Sequence, residues 1–220
     1  MKVIAVSGSP RKGRNTEQML SSALDGAASR GAQTKLIRLY ELNFTGCKSC
    51  LVCKRINAQR KCYVRDELSP VLEELTTSDA LIFGSPIYFM ELTGVLHSCP
   101  ERFYFPFVTY GTERQTFFER KLPIGFVYTM NVTKDWLREM PIANRFAEVT
   151  ETLFGVAPEI VCAYDTWQYP DYSKFEHGIF SVEQKKRHRD EEFPHELESA
   201  RQLGITLVEK AAKFHDERTV

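Results

Sequence analysis

Two stretches of this sequence hold residue types that do chemistry rather than packing. The first, Ser7–Asn15, reads SGSPRKGRN and runs into Thr16, where a helical period begins. Small, hydroxylated and basic residues at the start of a helix suit an anion. The helix end presents unsatisfied N–H groups and the positive end of its dipole. The hydroxyls of Ser9 and Thr16, the Asn15 amide and the Arg11 guanidinium add donors, and together they suit a phosphate monoester. The plain alternative is a solvated loop ahead of a capped helix. The second stretch is Cys47-x-x-Cys50-x-x-Cys53, followed after eight residues by Cys62. Thiolates two residues apart can turn toward one centre, and four complete a cubane [4Fe–4S] cluster or a tetrahedral zinc site. Free thiols remain a third reading. Lys48, Lys54, Arg55, Arg60 and Lys61 would offset a cluster's charge, lower thiol pKa values or attract an acidic partner.

The elements that must position these groups follow from periodicity. Lys2–Val6, Thr34–Leu39, Ala80–Phe83, Pro123–Tyr128 and Glu159–Ala163 read as strands, with Gly84-Ser85-Pro86 breaking the third. Helical patterns lie between them. One starts at Thr16, carries Met19, Leu20, Ala23 and Ala27, and stops at Gly31. One is capped by Asp66 and carries Leu68, Leu72 and Leu75. The others are Gly94–Arg102, a helix from Asp135 to about Phe154, and Phe193–Phe214. Strands alternating with helices imply an α/β fold, a mostly parallel sheet covered on both faces. Its ligand belongs outside the carboxyl ends of the strands. The loops to watch are therefore Ser7–Thr16, Ser85–Thr93 and Thr129–Thr133. The first lacks both G-x-x-x-x-G-K-[ST] and G-x-G-x-x-G, which argues against a P-loop NTPase and an ordinary dinucleotide site.

The chain has 220 residues, enough for one domain with a sizeable core, read here as a single unit over 1–220. Its 29 basic and 29 acidic residues cancel, so nothing recruits nucleic acid or an anionic membrane. No apolar run approaches the ~20 residues of a membrane span, and MKVIAVSGSP has no signal-peptide pattern. A cytoplasmic location with reduced thiols is expected. Histidines 97, 177, 188, 195 and 215 have no metal-site spacing, and G-x-S-x-G is missing. Cys99 and Cys162 stand alone, the latter as a packing residue in a strand. Residues 183–192 (EQKKRHRDEE) read as a solvated charge run.

VSGSPRKGRNT at 6–16, GCKSCLVCK at 46–54 and GSPIYFMELTG at 84–94, with YTMNVT at 128–133 as a looser match, resemble the NAD(P)H-dependent FMN reductase and iron–sulfur flavoprotein group of flavodoxin-like proteins. The resemblance implies a doubly wound five-stranded sheet of order 2-1-3-4-5 and FMN as cofactor. The phosphate would sit on Ser9, Arg11, Asn15 and Thr16, and the ring against Pro86, Ile87, Tyr88 and Phe89. Thr129, Met130 and Asn131 would close the other side. Backbone donors and apolar faces suit a flat ring. The gap before Cys62 is longer than in the family's four-cysteine motif, so a [4Fe–4S] cluster on Cys47, Cys50, Cys53 and Cys62 stays one of the three readings of the 46–63 loop.

The implied activity is that of an FMN-dependent oxidoreductase taking hydride from NAD(P)H and reducing quinones, flavins, metals or a protein partner. Hydride transfer needs no side-chain acid or base, so no catalytic residue is named. An electron carrier with FMN and a cluster, fed by ferredoxin, is the main alternative, and a non-catalytic flavin-binding module a third. The resemblance also implies a homodimer or homotetramer. The C-terminal excursion at 165–190 carries Trp167, Tyr169, Tyr172 and Phe175. It would either roof a second subunit's flavin or form a local flap.

Overall fold

The computed structural model of the chain describes residues 1–139 and 141–219. The apolar run at the N-terminus forms β1 (Lys2–Ser7), and α1 (Asn15–Ser29) follows the Ser-rich loop. Then come β2 (Gln33–Arg38), the cysteine loop, α2 (Leu68–Thr77) and β3 (Ala80–Tyr88). A two-residue β4 (Glu91–Leu92) folds back on β3 and leads into α3 (Gly94–Tyr104). The second half runs through β5 (Ile124–Thr129), α4 (Lys134–Glu139), α5 (Arg145–Phe154), β6 (Glu159–Ala163), α6 (Val182–Arg187) and α7 (Phe193–Thr219). The strand order is β2-β1-β3-β5-β6, all parallel, with β4 hanging antiparallel from β3. The five parallel strands thus keep the expected 2-1-3-4-5 order, and β4 is an addition.

Side chains alternate across the sheet, so each strand feeds two cores. Ile4, Val6, Leu81, Phe83, Ile124 and Phe126 pack with Leu68, Leu72, Leu75, Leu96, Phe103 and Phe154 from α2, α3 and α5. Val3, Ala5, Ala80, Ile82 and Val127 pack with Met19, Leu20, Leu203 and Leu207 from α1 and α7. α1 and α7 touch backbone to backbone. A Cβ on Gly26 would lie 2.0 Å from the Arg201 carbonyl oxygen, and one on Gly204 would lie 1.8 Å from that of Ala23.

Two expectations are corrected. Gly84-Ser85-Pro86 does not break the third strand, which continues to Tyr88. The Gly84 carbonyl accepts from Gly8 N–H at 2.8 Å, so the backbone of Gly84, and of Pro86 two residues on, faces β1. β1 pairs with β3 only as far as Ser7 opposite Gly84. The missing N–H of Pro86 therefore removes no ladder bond. The single helix expected from Asp135 to Phe154 is two, α4 and α5. Pro141 lacks an N–H and clashes with a preceding helical turn. Asn144 then starts afresh, its Oδ1 accepting from Ala147 N–H at 3.3 Å.

Candidate functional site

The carboxyl ends of β1, β3 and β5 open onto one cleft. It is lined by Ser9, Arg11, Arg14, Asn15, Thr16, Pro86, Ile87, Tyr88, Thr129, Met130, Asn131, Thr166, Trp167 and Gln168. Every expected binding residue is present except Phe89. That residue sits at the β3–β4 hairpin tip with φ +52° and a fully exposed ring. Arg14, Thr166, Trp167 and Gln168 are additions.

The first loop is held from within. Ser9 Oγ accepts from Arg11 N–H at 3.2 Å, and Gly13, with φ +70°, gives its N–H to Glu17 Oε2 at 2.7 Å. Glu17 is buried and receives Arg38 Nε from β2 at 2.6 Å. Burial would raise its carboxyl. The hydrogen bonds from Arg38 and Gly13 outweigh it and hold the pKa below the ordinary value. Sequence reasoning missed this anchor. Its signal was a lone acid in the first turn of α1, a favourable place beside the helix dipole.

The loops are tied to each other. Thr16 and Thr129 share a hydroxyl–hydroxyl bond of 2.7 Å, joining α1 to the end of β5. Thr93 caps α3 by accepting from Leu96 N–H, donates to the Gly8 carbonyl at 2.8 Å, and gives its N–H to Ser85 Oγ at 3.0 Å. The loop after β5 is fixed by Thr166, whose N–H and Oγ both donate to the Met130 carbonyl at 3.0 Å. Below it, buried Lys185 pairs with Asp165 and reaches the Asn131 carbonyl at 3.5 Å.

Residues 165–180 pack on their own chain. Tyr169 and Phe175 stack at 4.3 Å, and Trp167 and Tyr169 both lie against Tyr172. The Gln168 carbonyl accepts Arg11 Nη1 at 2.8 Å, and the Trp167 carbonyl accepts Asn15 Nδ2 at 3.0 Å. Trp167 and Gln168 of this segment line the cleft of their own chain, while Tyr169, Tyr172 and Phe175 pack on one another.

Cys47, Cys50, Cys53 and Cys62 line one small cavity with Lys48, Arg102, Phe105 and Pro106. None of the six cysteines is in a disulfide. Among the described residues, no group of three or more His, Cys, Asp or Glu side chains is closed around a metal position. Burial pushes the Cys53 thiol up, against the pull of Lys54. Arg102, fully buried, gives Nε to Cys62 Sγ at 3.4 Å and Nη1 to Asp66 at 2.6 Å. A loop of four thiols round one cavity, backed by buried positive charge, suits a cluster's donor chemistry.

A five-stranded parallel sheet of this order, with a polar loop after β1 and an apolar run after β3 facing one cleft, defines a flavodoxin-like α/β protein. Residues 1–129 match the family model of NADPH-dependent FMN reductases, and the chain belongs to that family. It is 34% identical over 102 residues to an iron–sulfur flavoprotein of Methanocaldococcus jannaschii, a stretch covering 46% of this chain and 51% of that protein. It is 33% identical over 88 residues to the iron–sulfur flavoprotein of Methanosarcina thermophila, covering 40% and 44%. The chain spans about half the length of the curated relatives it matches. The NAD(P)H:quinone oxidoreductase from Methanothermobacter marburgensis superposes with a TM-score of 0.65 over 94% of this chain and 98% of that one, at 18% identity. That likeness is one of fold.

FMN, the cofactor the family implies, fits the residues present. The lining offers donors from Ser9, Arg11, Asn15 and Thr16 and apolar surface from Pro86, Ile87, Tyr88 and Met130. Asn131 Oδ1 is buried in this structure with no partner, an acceptor suited to an N–H or O–H of a bound flavin.

Proposed function

We propose that this protein is an FMN-dependent oxidoreductase that takes hydride from NAD(P)H and reduces a quinone or flavin acceptor. The observation that carries the reading is the single cleft where the loops after β1, β3 and β5 converge. Ser9, Arg11, Asn15 and Thr16 hold the phosphate. Pro86, Ile87 and Tyr88 form one wall for the ring, with Phe89 at its open rim. Thr129, Met130 and Asn131 form the opposite wall. Bound FMN would supply the redox chemistry, acceptance of a hydride and release of electrons singly or in pairs. The chain's task is binding, orientation and control of access. Trp167, backed by Tyr172, walls one side, and half-exposed Tyr88 leaves the other open to a nicotinamide. The test is anaerobic addition of NADPH or NADH to the flavin-loaded protein, then a quinone. Bleaching of the flavin bands and their return on quinone addition support the reading. A flavin that stays oxidised contradicts it.

A second reading follows from the cysteines. We infer that Cys47, Cys50, Cys53 and Cys62 hold a [4Fe–4S] cluster, which would make the chain an electron carrier served by a ferredoxin-type protein. The shared cavity and buried Arg102 favour this, and the names of the archaeal relatives accord with it. Iron and sulfide in anaerobically purified protein, lost in a Cys53→Ser variant, support it; iron-free protein contradicts it. We read the protein as cytoplasmic, in keeping with six cysteines of which none is in a disulfide. We read the chain as one domain, and exposed Phe89 on the cleft rim as a contact in a homodimer or homotetramer.

A further inference from the structure

We propose that Arg189 is a positioning residue for the phosphate end of the cleft, holding the Asn15 amide with its nitrogen turned inward. The inference rests on the FMN reading above.

Arg189 sits on a π-helical turn, His188–Glu192, that joins α6 to α7. Its place in the charge run gives no hint of a site. The fold nevertheless carries its guanidinium to the first turn of α1, 174 residues away in sequence. Nη1 donates to Asn15 Oδ1 at 3.1 Å and Nη2 donates to Gln18 Oε1 at 2.8 Å. Asn15 and Gln18 are three apart on one helix, so their side chains are neighbours. The Phe193 ring lies 4.2 Å from the guanidinium and fixes its plane.

A guanidinium has only donors, so an amide facing it must present oxygen. That settles which way Asn15 points, because its Nδ2 then faces the cleft. One N–H of Nδ2 meets the Trp167 carbonyl at 3.0 Å, and the other is left for an anion. Without Arg189 the Trp167 carbonyl alone orients the amide, and the amide can turn over at the loss of that one bond. Its oxygen would then face the phosphate, replacing an attraction with a repulsion. Arg189 on the oxygen and the Trp167 carbonyl on the nitrogen together keep Asn15 a donor toward the phosphate. π-helical turns recur at functional sites, and this one aims a side chain.

The test is titration of the full chain, freed of flavin by dialysis, with FMN and separately with riboflavin, which lacks the phosphate. Arg189→Ala should weaken FMN about tenfold, the scale of one hydrogen bond to a charged group, and leave riboflavin affinity unchanged. Unchanged riboflavin affinity also shows that the variant is folded. In an Asn15→Ala background the same substitution should do nothing more. If Arg189→Ala does not fold, Arg189→Lys carries the test, since one ammonium cannot replace the fork that spans both amides. An unchanged FMN-to-riboflavin preference, or an equal extra loss in the Asn15→Ala background, overturns the proposal. Arg11→Ala separates it from the reading beneath. If Arg11→Ala costs FMN selectively and Arg189→Ala does not, only the positioning role fails. If neither changes the preference, the phosphate site itself is wrong.

Discussion

Arg102 shows how much one side chain holds in place. It is buried to 0% side-chain exposure, and its guanidinium joins Asp66, Cys62 and the carbonyls of Thr45 and Val64. Arg102→Ala would leave Asp66 without its cation and the cysteine loop without its brace. A loss of about 3–5 kcal/mol in a denaturant melt is expected. The pH dependence follows in sign. Burial would raise the Asp66 carboxyl, but the hydrogen bonds from Arg102, Thr45 and Leu68 and the charge of Arg102 together outweigh it and hold the pKa below the ordinary value. A depressed folded pKa gives stability that is full above the unfolded value and is lost as pH falls through the folded one. Wild-type stability should therefore drop below about pH 4 through this carboxyl, and Arg102→Ala should flatten that part of the profile. Cys99 makes a second residue-scale prediction. Fully buried, its thiol is pushed up to about 12, so it stays protonated at neutral pH. Iodoacetamide on native protein at pH 8 should spare it while labelling exposed Cys50, as peptide mass mapping would show.

At the scale of elements, the crossing of α1 and α7 decides whether the loop after β1 and the C-terminal arm meet. The close approach at Gly26 and Gly204 leaves no room for a methyl group. Gly204→Ala should cost about 1–3 kcal/mol and lower the thermal midpoint by roughly 2–12 °C. Gly94→Ala, with nothing within 4 Å of its Cβ, should leave the midpoint within about 1 °C or raise it. Equal effects would contradict the close-packed crossing. Element types were legible from periodicity, because a parallel sheet buried on both faces leaves short apolar runs at Val3–Val6, Ala80–Phe83 and Ile124–Tyr128. What misled was punctuation. Pro86 reads as a breaker in one dimension, and only the end of β1 beside it makes the proline harmless. Pro141 was a true breaker passed over inside a helical period.

For the whole molecule, the cleft was legible where its walls are local in sequence. Ser9, Arg11, Asn15, Thr16, Pro86, Ile87, Tyr88 and the 129–131 run all follow strand ends, where sheets of this kind place ligands. Arg14, Glu17, Trp167, Gln168 and Arg189 were not assigned to the site. Four of them owe their part to partners far off in sequence or to the path of the C-terminal arm over the sheet edge. No spacing rule encodes a contact across 157 residues such as that of Arg11 with Gln168. Phe89 lies outside the lining of the cleft, since the tight hairpin tip leaves its side chain exposed.

The most direct test of the central claim is calorimetric titration of the flavin-free chain with FMN, alongside Arg11→Ala and Thr16→Val. Equimolar binding by the wild type, weakened about tenfold or more by each substitution, is what the cleft predicts. No binding, or binding unmoved by either change, would place the flavin elsewhere or remove it from this protein.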